Sequence, residues 1–163
     1  MADRTTNTLY ESKAIDRLAV PIANGVSIPV GTLVQEEGGY ANHYDGTNTL
    51  LGIVVGGENL STTQVPVGDT GVSPLPAVYV DTSGTTITGI PVAGASGTTV
   101  IGEFVYCDDS DLANATLTQP TTDHPIGILV GWRSATDCDV RLFAFIEHLL
   151  GTTAAATLGT DWI

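Results

Sequence analysis

The chain has 163 residues, which suits one domain with or without extended ends; 19 glycines and 24 threonines with only 14% charged residues suggest strands and tight turns. Five basic and 18 acidic side chains give a net charge of −13, and no Lys or Arg stands among the 11 acids between Arg17 and Arg133. Proteins bind a phosphate backbone by replacing its counterions with Lys and Arg, so this balance excludes nucleic acid as a partner.

Residues 1–24 differ from the rest. They are polar at first and hold three of the five basic residues, Arg4, Lys13 and Arg17. They lack the apolar stretch of a secretory leader, and nowhere in the chain is there an apolar run of about 18 residues that would predict a membrane span. The segment reads as an N-terminal arm outside the main domain. Arg4, Tyr10, Lys13 and Arg17 are its candidate partner-binding residues, because an arm with little core of its own offers its cations to a neighbour.

From Gly25 to Ile146 short β-rich runs alternate with Gly, Asn, Asp and Pro clusters. The runs are 26–35, 50–55, 63–67, 77–81, 86–92, 99–107, 126–132 and 138–146. Asp45-Gly46, Asp81 to Gly84 and Asp108 to Asn114 carry turn chemistry. Before Phe145 no segment keeps an apolar period of 3.6 residues, so the expectation is an all-β domain of barrel or sandwich type. The tail, 147–163, could hold a short helix; Gly151 and the Thr152-Thr153 pair argue against a long one. Trp162 would be an apolar anchor near its end.

The domain contains an internal repeat. GVSIPVGTLVQ (25–35) and LLGIVVGG (50–57) are echoed by GTTVIGEFVYC (97–107) and PIGILVGW (125–132). Gly31-x-x-Val34 with Leu51-Gly52-Ile53 matches Gly102-x-x-Val105 with Ile126-Gly127-Ile128. A glycine inside an apolar run lets backbones approach closely or bends a strand. Two copies are too few for a solenoid, so the reading is a pseudo-repeat within one small barrel.

Groups that could carry chemistry are sparse. Asp108, Asp109 and Asp111 could bind Ca²⁺, but the loop lacks the EF-hand order, and an acidic hairpin tip is the simpler reading. His43 and His124 occupy equivalent loops of the two copies, yet neither they nor His148 have zinc-site spacing. Cys107 has no neighbouring base, and no GxSxG elbow or phosphate-cradling loop is present. Cys107 and Cys138 read as reduced thiols, with a cross-strand disulfide left open. Arg133 and Arg141 read as partners of Asp137, Asp139 or Glu147, or as contacts to an acidic neighbour. No cofactor, metal or catalytic residue is expected.

Gly102-Glu103-Phe104-Val105-Tyr106-Cys107-Asp108, the Thr-rich loop 115–122, Ile126-Gly127-Ile128-Leu129-Val130 and the alternating strand Asp139 to Phe145 resemble the capsid decoration (cement) proteins of tailed phages. Gly31 to Gly57 resembles the matching early part of that family. The resemblance implies a β-barrel or tulip-like fold (25–146) that forms a homotrimer on the outer surface of the virion. There it would bind the major capsid protein and stabilise contacts between capsid subunits, without catalytic residues or membrane association. The arm and tail depart from the family and leave a second possibility, a head-fibre or adhesin-type module binding host-surface carbohydrate through Tyr40 and Tyr44. A hydrolase built from His43, His124 and the Asp108 cluster is the enzymatic rival.

Overall fold

The computed structural model describes residues 17–58, 66–99 and 101–158, with residues 152–158 described by backbone alone. Strands β1 (Arg17–Pro21), β2 (Leu33–Glu37), β3 (Tyr40–His43), β4 (Leu50–Glu58) and β5 (Ala77–Asp81) form one antiparallel sheet in the order β1-β5-β4-β2-β3. Strands β6 (Thr86–Ile90), β7 (Phe104–Val105), β8 (Gly127–Ser134) and β9 (Asp137–Leu142) form a second, β6-β9-β8-β7, and helix α1 (Phe145–Leu158) follows. The fold is all-β with one C-terminal helix.

Strand periodicity decides which side chains enter the core. In β9, Cys138, Val140 and Leu142 are buried, whereas Asp137, Asp139 and Arg141 face outward. In β2, Leu33 and Val34 point to opposite faces and join different cores. The larger core draws on both sheets, with Leu33, Leu50 and Ile53 from the first and Leu129, Val140 and Leu142 from the second. The smaller lies within the first sheet and includes Val20, Ile22, Val34, Val54, Val78 and Val80. Around it the sheet curls until Ile22, just past β1, meets Ala41 of β3 through a lone bridge. The sheet is thus barrel-like, but no continuous ladder closes it.

The sequence repeat is a structural repeat. Val34 pairs with Gly52 and Leu33 with Ile53; Val105 pairs with Gly127 and Phe104 with Ile128. A third strand completes each unit, with Ile53 opposite Asp81 and Ile128 opposite Arg141. Backbone bonds repeat as well: Gly31 N–H donates to Val54 O at 2.8 Å and Gly102 N–H to Leu129 O at 2.7 Å. Both glycines have positive φ, 87° and 99°, the left-handed region that favours glycine. Hence β2-β4-β5 and β7-β8-β9 are two copies of one arrangement, with β1 and β6 on corresponding edges.

Several expected boundaries move. The arm expected over 1–24 gives up its last part, since residues 17–24 belong to the sheet and its core: β1 pairs with β5, and Ile22 is buried. Leu18, Ala19 and Val20 make the strand, and Pro21 is tolerated because it ends an edge strand. The runs expected at 26–35 and 99–107 keep only their last parts as strand, because Gly31 and Gly102 turn the backbone just before β2 and β7. Most of the run at 63–67 lies outside the described residues. β3 emerges from a stretch that reads as a polar loop. The run expected to reach residue 146 stops at Leu142, and α1 continues through Gly151, because packing of Phe145 and His148 outweighs local propensity.

Candidate functional site

Turns at one end of the domain gather most of the residues with possible chemistry. β3 carries His43, whose Nδ1 lies 2.7 Å from Ser110 Oγ and whose Nε2 lies 2.9 Å from Ser27 O. A carbonyl only accepts, so Nε2 donates to Ser27 O; in the neutral ring Nδ1 then accepts from the Ser110 hydroxyl. This is the contact of a nucleophile with its base. Ser110, however, is fully buried, so no substrate reaches its hydroxyl in this conformation. The pair instead ties β3 to the 108–111 turn across 67 residues of sequence. His43→Ala is expected to cost about 1–3 kcal/mol, the range for stranding a buried hydrogen-bonding group. A double-mutant cycle with Ser110→Ala, followed by urea denaturation, should return a coupling of about 1 kcal/mol; strict additivity would remove the tie.

The acidic turn spends its carboxylates on its own backbone. Asp109 Oδ1 accepts from Asp111 N–H at 2.8 Å and Oδ2 from Asn114 Nδ2 at 2.7 Å. Asp111 caps the 3₁₀ turn Leu112–Asn114 through Ala113 N–H. Among the described residues no three His, Cys, Asp or Glu side chains are placed to hold a metal ion. Cys107 donates towards Asp111 O and Asp109, and burial pushes its thiol well above the ordinary range, which makes it inert. Cys107 and Cys138 are both free and buried.

Beneath this end lies a buried aromatic group. His148 of α1 has no exposed surface and meets both Tyr44 and His124 edge-on, with ring centroids 6.1 Å apart in each case. Its Nδ1 accepts the Leu50 backbone N–H at 3.0 Å. Burial, with a smaller effect from His124, lowers its pKa to about 4, and burial also lowers that of His124. Beside them Asp123 is buried, and its carboxyl is pushed up by burial and by Asp108 and Asp45. Tyr44, Asp123 and His148 are buried here, and His124 is half-buried against them. His43 contacts Ser110 and Ser27, and His124 contacts His148.

No family model matches the chain, and no curated protein matches it. A solved structure does. It is a chain of the capsid of Myoviridae Phage XM1, with a TM-score of 0.51 and 18% identity, covering 89% of this chain and 93% of that chain. At that identity the likeness is one of fold, and it spans both sheets.

The remaining candidates are surface features. Arg133 reaches Asp137 at 2.7 Å and Asp139 at 2.6 Å, and Arg141 reaches Glu147 at 2.9 Å, so both arginines serve internal ion pairs. Arg17 is exposed at the start of edge strand β1, opposite Asp81, while Arg4, Tyr10 and Lys13 lie outside the described residues. Tyr44 is completely buried and only Tyr40 of the pair is part-exposed, so the expected carbohydrate platform does not form. Sequence reasoning missed the role of His148. Its burial is visible only where α1 places it against Tyr44 and His124.

Proposed function

We propose that this chain is a non-enzymatic structural protein of a phage virion. It binds the outer surface of the capsid as a homotrimer and stabilises contacts between major capsid subunits. The observation that carries this reading is the fold shared with a chain of a phage capsid over 89% of the present chain. Two further features support it. The histidines, acids and cysteines that could have made a site are engaged in packing, turns and ion pairs. The structural repeat builds a small double-sheet body suited to adhesion by its faces and ends. Many weak contacts that bridge several subunits would then resist expansion of the shell.

The direct test is titration of the full-length protein onto purified capsids that lack it. Saturable binding and a higher capsid disruption temperature are expected; binding that never saturates overturns the proposal. The arm can be tested separately. Deleting residues 1–16 spares β1, so the domain should melt within a few degrees of the intact chain, while capsid affinity falls at least ~10-fold through loss of Arg4, Tyr10 and Lys13. Unchanged affinity would remove these three residues from the interface.

A further inference from the structure

Helix α1 is seated by a titratable side chain. Among its described side chains His148 is the one that is fully buried; Phe145 is half-buried against the smaller core, and Ile146, Glu147, Leu149 and Leu150 are exposed. The imidazole stands edge-on to Tyr44, just past β3, and to His124, in the loop before β8. Its Nδ1 accepts the N–H of Leu50, the first residue of β4. Through one ring the helix therefore rests on both copies of the repeat. Elsewhere it has little hold on the body. Among the described residues the larger core contains no α1 side chain, and the smaller takes Phe145 at its margin. The Phe145 N–H also donates to Thr82 O at 3.0 Å. An element with so few buried contacts opens at a lower free energy than the whole fold.

The surroundings oppose a charge on that ring from each side. A proton added at Nδ1 would face the Leu50 N–H and break the bond to β4. Tyr44 is neutral, with its hydroxyl donating to Gly46 O at 3.1 Å, and burial also keeps the nearby Cys107 thiol neutral. His124 is the neighbour whose charge acts on His148, and a positive charge there opposes a second. On α1 itself Glu147 is exposed and engaged by Arg141 at 2.9 Å and by the Ala144 N–H at 2.8 Å. The remaining acids lie around the Gly46 turn. Asp45 is held by the N–H groups of Thr47 and Asn48, and Asp123 feels both Asp45 and Asp108. Burial and those two carboxylates push the Asp123 carboxyl up, so acid neutralises it where an imidazolium would need its charge. Acid thus relieves repulsion in the wall while it penalises the helix seated on that wall.

We propose that His148 is an acid-released latch: when its imidazole is charged, α1 leaves the wall formed by Tyr44, His124 and Leu50 while the two sheets stay folded. Release grows as the pH falls below the ordinary histidine value, and neutralisation seats the helix again. An apolar side chain at position 148 would hold α1 at every pH. Nothing in this device depends on binding to a capsid.

The test is amide hydrogen exchange, read by mass spectrometry on the full chain at pH 7.5 and pH 5.0, with rates corrected for the intrinsic pH dependence of exchange. Between a seated value of about 4 and a released value of 6.5, linkage raises the opening equilibrium of α1 about 30-fold over this interval. Amides of β4, β5, β8 and β9 are expected to keep their protection within about 3-fold. His148→Gln keeps an acceptor for the Leu50 N–H but has no titrating group, so its α1 should also change by less than about 3-fold. Loss of protection in α1 and the strands together overturns the proposal, because the whole fold is then opening. So does an α1 that keeps its protection at pH 5.0, or a variant that responds as strongly as the unchanged protein. Should His148→Gln leave α1 unprotected already at pH 7.5, an NMR titration of the unchanged protein decides. The His148 ring and the α1 amides are then expected to shift with one midpoint, and separate midpoints overturn the latch.

Discussion

Gly127→Ala is expected to destabilise the domain by about 3–5 kcal/mol, enough to consume much of the typical 5–15 kcal/mol of a domain this size. A Cβ at position 127 would lie 2.2 Å from the carbonyl oxygen of Arg141 and 3.0 Å from the Leu142 Cα. Real carbon–oxygen contacts do not come so close, and the obstacle is backbone in a paired strand, which cannot swing aside as a side chain can. Relief requires β8 and β9 to separate at the point where Gly127 pairs with both Val105 and Leu142. Overpacking of this kind costs about 1–3 kcal/mol, and each ladder bond lost adds about 1. Gly52→Ala should behave alike, because its Cβ would sit 2.0 Å from the Asp81 carbonyl oxygen in the equivalent place of the other copy. Gly131→Ala supplies the contrast: its Cβ would meet Asp139 Oδ2 at 2.6 Å, a side-chain atom able to move. Urea midpoints of the three variants provide the measurement. If Gly127→Ala loses no more than Gly131→Ala, close strand approach is not what those glycines permit.

The two-copy symmetry is legible in the sequence alone, because the chain writes each strand pair twice with the same residue types at the same offsets within the strands, and only the loop between them differs in length. The alternation in β9 is legible for a similar reason, since one face meets core and the other water. β3 escapes a sequence reading, because Tyr40, Ala41, Asn42 and His43 do not alternate cleanly. The signal that would reveal it is Gly38-Gly39, whose φ values of 62° and 90° make the two-residue turn joining β2 to β3. The His43–Ser110 bond lies beyond any local pattern, because the partners come from opposite halves of the chain. Helix α1 reverses the sequence logic outright. Hydropathy selects Ile146, Leu149 and Leu150 for burial, yet His148 and Gly151 are the buried residues and Phe145 is half-buried against the core.

Acidification is expected to weaken the fold mainly through His148. Its unfolded pKa is the ordinary 6.5 and its folded value is about 4, so between these limits the unfolded chain binds a proton that the folded chain refuses. The stabilising contribution is therefore complete above about pH 6.5, declines as pH falls, and is exhausted near pH 4. The interval corresponds to a loss of about 3 kcal/mol. The physical cause is burial, with a smaller effect from His124; in addition Nδ1 accepts the Leu50 N–H, so a proton added there would face a donor. His124, lowered by burial, adds to the loss with the same sign, and a second imidazolium beside the first raises the cost of charging either. Asp123 acts in the opposite direction: its raised pKa means that the folded chain takes up a proton more readily than the unfolded one, recovering some stability on acidification. Urea denaturation at a series of pH values from 7 to 4 separates these contributions when His148→Gln is run beside the unchanged protein. Glutamine can still accept the Leu50 N–H but carries no titrating group. The variant should start less stable at pH 7 and lose markedly less on the way to pH 4. Parallel curves for the two proteins would mean that the acid sensitivity comes from elsewhere, and α1 would then be free to stay seated when His148 is charged.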